Sequence, residues 1–275
     1  MEPIEFTPRL RQMKEFIDAC EVKPATERKH LFMSLFDLTG EDVDSLIFNG
    51  MISLDSSLDA FRSALQQMDY HRVKPFIQKT LIDLSNKYPS GKRLMVELYP
   101  MDEQDQFGRE QLGGVSAWTS WQGDTIHLVV YPSKETTHAL KSTVVHEYNH
   151  HHRITALNNG HPDVTLLEKI IREGLAEHFV GEVLGREFHG PWVNALTQDE
   201  ARRLWETLYS VHAADTGDGT DALVFGGRNT DVPLWAGYSV GYYLVKWYWE
   251  LHPLVSIIDL TVRNSEEFIP RSFNF

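Results

Sequence analysis

Over the first ninety residues, apolar positions recur at helical spacing. Between Ser57 and Leu84 they fall at Leu58, Phe61, Leu65 and Met68, then at Val73, Phe76, Ile77, Leu81 and Leu84. That rhythm is one buried helix face. Pro75 lacks a backbone N–H and predicts a kink or split in the run. Tyr88-Pro89-Ser90-Gly91 ends it, and the period shortens beyond. Residues 93–99 read as a strand, Val115 to Trp121 as a second behind Gly113-Gly114, and Thr125 to Tyr131 as a third after the Gln122-Gly123-Asp124 turn. In the third, Ile126, Leu128 and Val130 alternate with Thr125, His127 and Val129, which predicts one buried face.

Helical patterning then returns. Pro132-Ser133 ends the strand, and a long helix is expected from about Lys134 to Leu157, stopped by Asn158-Asn159-Gly160-His161-Pro162. Thr165 with Glu168, and Thr197 with Glu200, are capping-box signatures. They open helices expected over 166–184 and 201–213. A Gly- and Asp-rich loop over 215–229 precedes a helix from about Pro233 to Leu251 and a shorter one near 254–263. The order predicts an α+β chain: a helical region over residues 1–90, then a domain over 91–275 with a small antiparallel or mixed sheet.

The chemistry concentrates in the long helix, at His146-Glu147-Tyr148-Asn149-His150. Residues four apart share a helix face, so His146 and His150 can hold one Zn²⁺. Glu147 is placed to take a proton from a water activated there. Thirteen His make a chance H-E-x-x-H roughly a one-in-twenty event, so the surroundings decide. Ser142-Thr143-Val144-Val145 places apolar side chains just ahead of the first His, as a buried metal helix needs.

A catalytic zinc has three protein ligands and one open position. The H-E-x-x-H-x-x-G-x-x-H pattern of metzincins is excluded, because Arg153 and Ala156 occupy its last two places. A glutamate from the following helix is the alternative. Among Glu168, Glu173, Glu177 and Glu182, Glu173 is flanked by small residues at Gly174 and Ala176, which would let that helix approach the His helix. Glu173 is therefore assigned as ligand, and Glu177, one turn on, as the acceptor for the other ring nitrogen of a ligand His. The reverse assignment is the open alternative.

H-E-x-x-H followed by Glu173-Gly174-Leu175-Ala176-Glu177 resembles the gluzincins, which include thermolysin-like proteases and aminopeptidases with an Asn-Glu-Gly-x-Ala ligand motif. Arg172 stands where that asparagine would fall. With its helical front third and a late Gly237-Tyr238-Ser239-Val240-Gly241-Tyr242 segment, the chain also resembles the bacterial YjaZ-like family of predicted zinc-dependent proteases. The likeness covers roughly residues 90–265. It implies a zincin-like metallopeptidase core, a zinc cofactor, and a tyrosine that stabilises the oxyanion. Tyr238 with Gly241 matches the Tyr-x-x-Gly element of the aminopeptidases, and Tyr242 is the second candidate.

Composition narrows the partners. A formal charge of -13 disfavours a nucleic-acid binder, which needs a basic face. Cys20 is the one cysteine, so disulfides and multi-Cys zinc sites are excluded. Neither a basic-then-apolar leader nor a run of ~20 apolar residues is present, and a cytoplasmic protein without membrane partners is expected. His151 and His152 are expected at the surface or the edge of the site, and His178 as structural. The 215–221 loop fails the calcium-binding spacing of an EF-hand. Arg228 is a weak candidate for a substrate carboxylate. The expected function is zinc-dependent hydrolysis of peptide or protein substrates, with a non-catalytic metal-binding or regulatory protein on the same scaffold as the alternative.

Overall fold

A computed structural model describes residues 4–7, 9–161, 163–227 and 230–270. The chain folds as two compact units. One holds residues up to Ser120 and Asp124–Val144; the other holds Trp121–Gly123 and Val145 onwards. The expected boundary at residue 90 falls inside the first unit, because strand β1 (Ile4–Thr7) pairs with β2 (Leu94–Pro100).

In the first unit, helices α1 (Leu10–Cys20), α2 (Arg28–Phe36), α3 (Gly40–Phe48), α4 (Leu58–Tyr70) and α5 (Val73–Lys87) separate β1 from β2. The helical run divides at His71-Arg72, with Arg72 left-handed at φ 53°. Pro75 lies in the first turn of α5, where its missing N–H costs nothing. After α6 (Gln106–Glu110) come β3 (Val115–Thr119) and β4 (Thr125–Val130). The sheet order is β1-β2-β4-β3, parallel except for the β3/β4 hairpin. The chain is thus α+β with a small mixed sheet. β1 escaped the sequence pattern because a four-residue strand carries too little periodicity.

One expectation fails in this sheet. Val129 is fully buried and Thr125 nearly so, so β4 is not one-faced. It is paired on both edges, by β2 and β3, and a central strand covered on both faces loses its alternation. The core holds Phe16, Phe32, Phe36 and Phe61 with Tyr99 and Val129. Phe32 stacks on Phe36 at 4.0 Å, and Phe16 meets Phe32 edge-on at 5.2 Å.

Helix α7 (Thr136–Leu157) carries the His pair and ends at left-handed Asn158. The second unit continues with α8 (Leu166–Leu184), α9 (Gln198–Leu204), a π-helical stretch (Trp205–Tyr209), α10 (Ser210–His212), α11 (Asp221–Phe225), α12 (Ala236–Leu251) and α13 (Ile257–Thr261). The helix expected over 201–213 therefore starts earlier and changes pitch midway. Helices α8 and α12 pack closely: a Cβ on Gly174 would strike the Gly241 carbonyl, and one on Gly241 the Ile170 carbonyl. The small residue at 174 thus serves approach to α12, not the expected approach to the His helix. Among the described residues, no helix is long and apolar enough to cross a membrane.

Candidate metal centre

The second unit brings His146, Glu147 and His150 of α7 together with Glu173 and Glu177 of α8. All are buried except Glu173, which is 16% exposed. Glu147 brings a carboxylate oxygen, and each His a ring nitrogen, within 4.8 Å of one another. One oxygen of Glu173 lies 3.1 Å from His146 Nε2 and the other 3.5 Å from His150 Nε2. Glu177 Oε1 lies 2.8 Å from His146 Nδ1. With the proton on Nδ1, donated to Glu177, the Nε2 lone pair faces Glu173.

This donor set fits a zinc ion. Two ligands ~2.0–2.1 Å from one ion at a tetrahedral angle stand about 3.3 Å apart. The two Nε2-to-Glu173 distances bracket that value. Lone pairs facing carboxylate oxygens repel unless a proton or a cation lies between them.

The electrostatics follow from this crowding. Burial works against a charged His146, but hydrogen bonds to Glu173 and Glu177 hold its pKa well above the ordinary value. Burial also works to raise Glu173, yet the His150 charge and the His146 hydrogen bond keep it well below the carboxylate range. Glu177 is likewise lowered against its burial by His146 and by the Gly190 N–H at 3.0 Å.

Tyr238 is half-buried near the start of α12. Burial, then the neighbouring charges of Glu173, Glu147 and Glu177, push its phenol well above 10. The Tyr242 ring stacks on His178 at 4.2 Å, and its carbonyl faces His178 Nε2 at 3.0 Å. Burial lowers His178 to about 4, so the ring is a neutral packing group.

His151 departs from expectation. It is fully buried, and Nδ1 meets the Gly123 carbonyl, because residues 121–123 pack with that face of α7. His152 is half-buried. In the 215–221 loop, Asp215 pairs with His212 and Asp221 with Lys169. Arg228 lies outside the described residues.

Sequence reasoning missed three contributors. Gly190 and Trp192 belong to the turn after α8: Gly190 feeds Glu177, and the Trp192 ring lies 5.9 Å from that of His146. The Gly190-Pro191 pair was the available signal. Arg153 is fully buried and grips Glu168 through Nε at 2.9 Å and Nη2 at 2.6 Å. It also donates to the Thr261 and Arg263 carbonyls. This salt bridge links α7 to α8 close to one turn beyond His150.

A family described as predicted Zn-dependent protease (DUF2268) matches residues 73–270, and the chain belongs to that family. Two proteins of Bacillus subtilis (strain 168) are similar to it. YjaZ, an uncharacterized protein, is 32% identical over 174 residues, 62% of this chain and 64% of the relative. YjfC, also uncharacterized, is 25% identical over 174 residues, 59% of this chain and 56% of the relative. The chain thus matches less than two thirds of either relative's length. No solved structure matches this one.

Proposed function

We propose that the chain is a zinc-dependent peptidase of the gluzincin type on a zincin-like core, with His146, His150 and Glu173 as metal ligands. The observation that carries this reading is the Glu173 carboxylate facing both Nε2 atoms at near-ligand spacing while Glu177 fixes the far side of His146. When bound, zinc would supply Lewis acidity and bring the pKa of water towards ~7.

The residues divide the remaining work. Glu147, buried beside both imidazoles, accepts a proton from the attacking water and returns it to the leaving amine. Tyr238 keeps its proton, since its pKa is raised, and donates its O–H to the oxyanion that develops on the scissile carbonyl. Glu177 orients His146 and raises its basicity.

Metal analysis of the purified protein, paired with Glu147→Gln, tests this. Stoichiometric zinc, chelator-sensitive hydrolysis of a broad peptide library, and a loss of about 10²–10⁴-fold in Glu147→Gln with zinc retained are expected. Undiminished hydrolysis in that variant would overturn the mechanism. Stoichiometric zinc without any hydrolysis by the unaltered protein would favour a non-catalytic metal-binding protein.

A further inference from the structure

An aromatic wall continues from the first His ligand. Trp192 meets His146 with ring planes 79° apart. It also meets Tyr238 at 5.5 Å and Trp235 at 5.9 Å, and Tyr238 meets Phe225 at 5.8 Å. Trp192, Trp235 and Tyr238 are half-buried, and Phe225 is 50% exposed. Accessible aromatic surface therefore adjoins a polar, buried cluster of carboxylates and imidazoles. We propose that Trp192, Trp235, Phe225 and the ring of Tyr238 form a subsite for one bulky apolar side chain, best an aromatic one, of a peptide beside its scissile bond. The assignment of that side chain to a peptide rests on the peptidase reading above.

The wall is fixed in place before any ligand arrives. Trp192 lies in the short turn Pro191–Asn194, and Gly190 faces its ring so closely that a Cβ would collide with it. Fully buried Ser239 ties that turn to α12, donating to the Val193 carbonyl and accepting from the Leu196 N–H. The Trp235 N–H donates to the Phe225 carbonyl, and Gly226 lies against the Pro233 carbonyl, too close for a Cβ. Rings held this way lose little conformational freedom when a ligand packs on them.

The nearby charges favour an apolar occupant over a cation. Glu173 faces the two imidazoles, Glu147 lies beside them, Glu177 is held by His146 and Gly190, and Asp221 is paired with Lys169. A lysine placed on the wall would meet ring faces, with those carboxylates already engaged. An aromatic ring would instead find edge-to-face partners and bury its surface.

The test separates this subsite from turnover. Blocked hexapeptides of Gly and Ala, each carrying one Phe, one Leu or one Lys, are titrated calorimetrically into zinc-loaded Glu147→Gln. The Phe peptide should bind about tenfold tighter than the all-Gly/Ala peptide, with Leu between them and Lys no tighter than the reference. On the same background, Phe225→Ala should reduce the Phe advantage about threefold without changing the melting temperature, since that side chain is half exposed. Trp192→Leu should remove most of the advantage with zinc content unchanged. Equal binding across the series, a Lys preference, or no measurable binding would each overturn the subsite. Hydrolysis of the same peptides by the unaltered protein reports on the peptidase reading alone. Selective binding of Phe without any cleavage would leave the subsite standing and sink the peptidase.

Discussion

Helices α7 and α8 are joined by two buried ionic clusters built on opposite principles. At one, Arg153 meets Glu168 in a two-point contact, and Arg172 approaches the same carboxylate at 3.5 Å. There one carboxylate is shared by two guanidiniums. At the other, the carboxylates of Glu147, Glu173 and Glu177 crowd two imidazoles. The carboxylates outnumber the imidazoles, and against its burial they hold the His146 pKa well above its ordinary value. Uncompensated buried charge costs several kcal/mol, so an arrangement of this kind persists where a proton or a metal completes it. The two clusters differ in the sign of the excess: two guanidiniums share one carboxylate at the first, and three carboxylates face two imidazoles at the second.

The sharpest way to break that contrast is to remove the two-point contact of the first cluster. Arg153→Leu leaves Glu168 buried without its two-point partner, and should cost about 3–5 kcal/mol in urea unfolding. Glu168→Leu should cost at least as much, because it leaves both Arg153 and Arg172 buried without their shared carboxylate. A single-variant loss below about 1 kcal/mol would mean that the clamp behaves like a surface pair.

The first unit offers a further buried carboxylate held by its neighbours, Glu97, and it reports through pH. Burial works to raise Glu97, yet the hydrogen bond and charge of His127, then Arg9 and Tyr99, bring it from 4.5 to about 2. Its folded pKa lies below the unfolded one, so its contribution is present in full above the unfolded value. It is lost as pH falls from about 5 towards 2. The size is on the order of 3 kcal/mol. Glu97→Gln should flatten the acid limb of the stability curve over that window; an unchanged limb would show that Glu97 is not held this way.

How far these clusters were legible in the sequence depends on how local their causes are. The shared face of His146 and His150 follows from a four-residue spacing. Glu173 was singled out by its small neighbours, yet Gly174 faces Gly241 on α12, so the cause of that small residue lies on a helix the local pattern does not include. Arg153 served only to exclude the metzincin pattern; its burial depends on Glu168, Thr261 and Arg263, and the last two are more than a hundred residues away. Strand β1 depends in the same way on pairing with residues 94–97. Trp192 carries no periodic signal, since its position comes from a turn between helices.

The second cluster can be weakened without removing a proposed metal ligand. Glu177→Gln keeps an acceptor for His146 Nδ1 but withdraws the charge that orients the ring. Zinc affinity, measured by chelator competition, should fall about 10–100-fold, and the melting temperature of metal-free protein should change less than in Arg153→Leu. An unchanged affinity would place Glu177 with the packing groups instead.

The smallest test concerns a motif that reads identically at two places. Thr165 and Thr197 each precede a glutamate by three residues. At Thr197 the motif closes reciprocally, with Glu200 accepting from the Thr197 N–H at 2.8 Å. At Thr165 only half of it forms, because the Glu168 carboxylate is taken by Arg153 and Asn159. Both threonines should therefore lose about 1 kcal/mol on substitution by Ala, while the two glutamates diverge. Glu200→Gln, at a solvated helix start, should cost less than either threonine substitution. Glu168→Gln should cost several times more, because it leaves two buried guanidiniums without a counter-charge. Equal losses in the two Gln variants, measured in the same urea series, would mean that Glu168 acts as a cap and that α7 and α8 are joined by something other than this clamp.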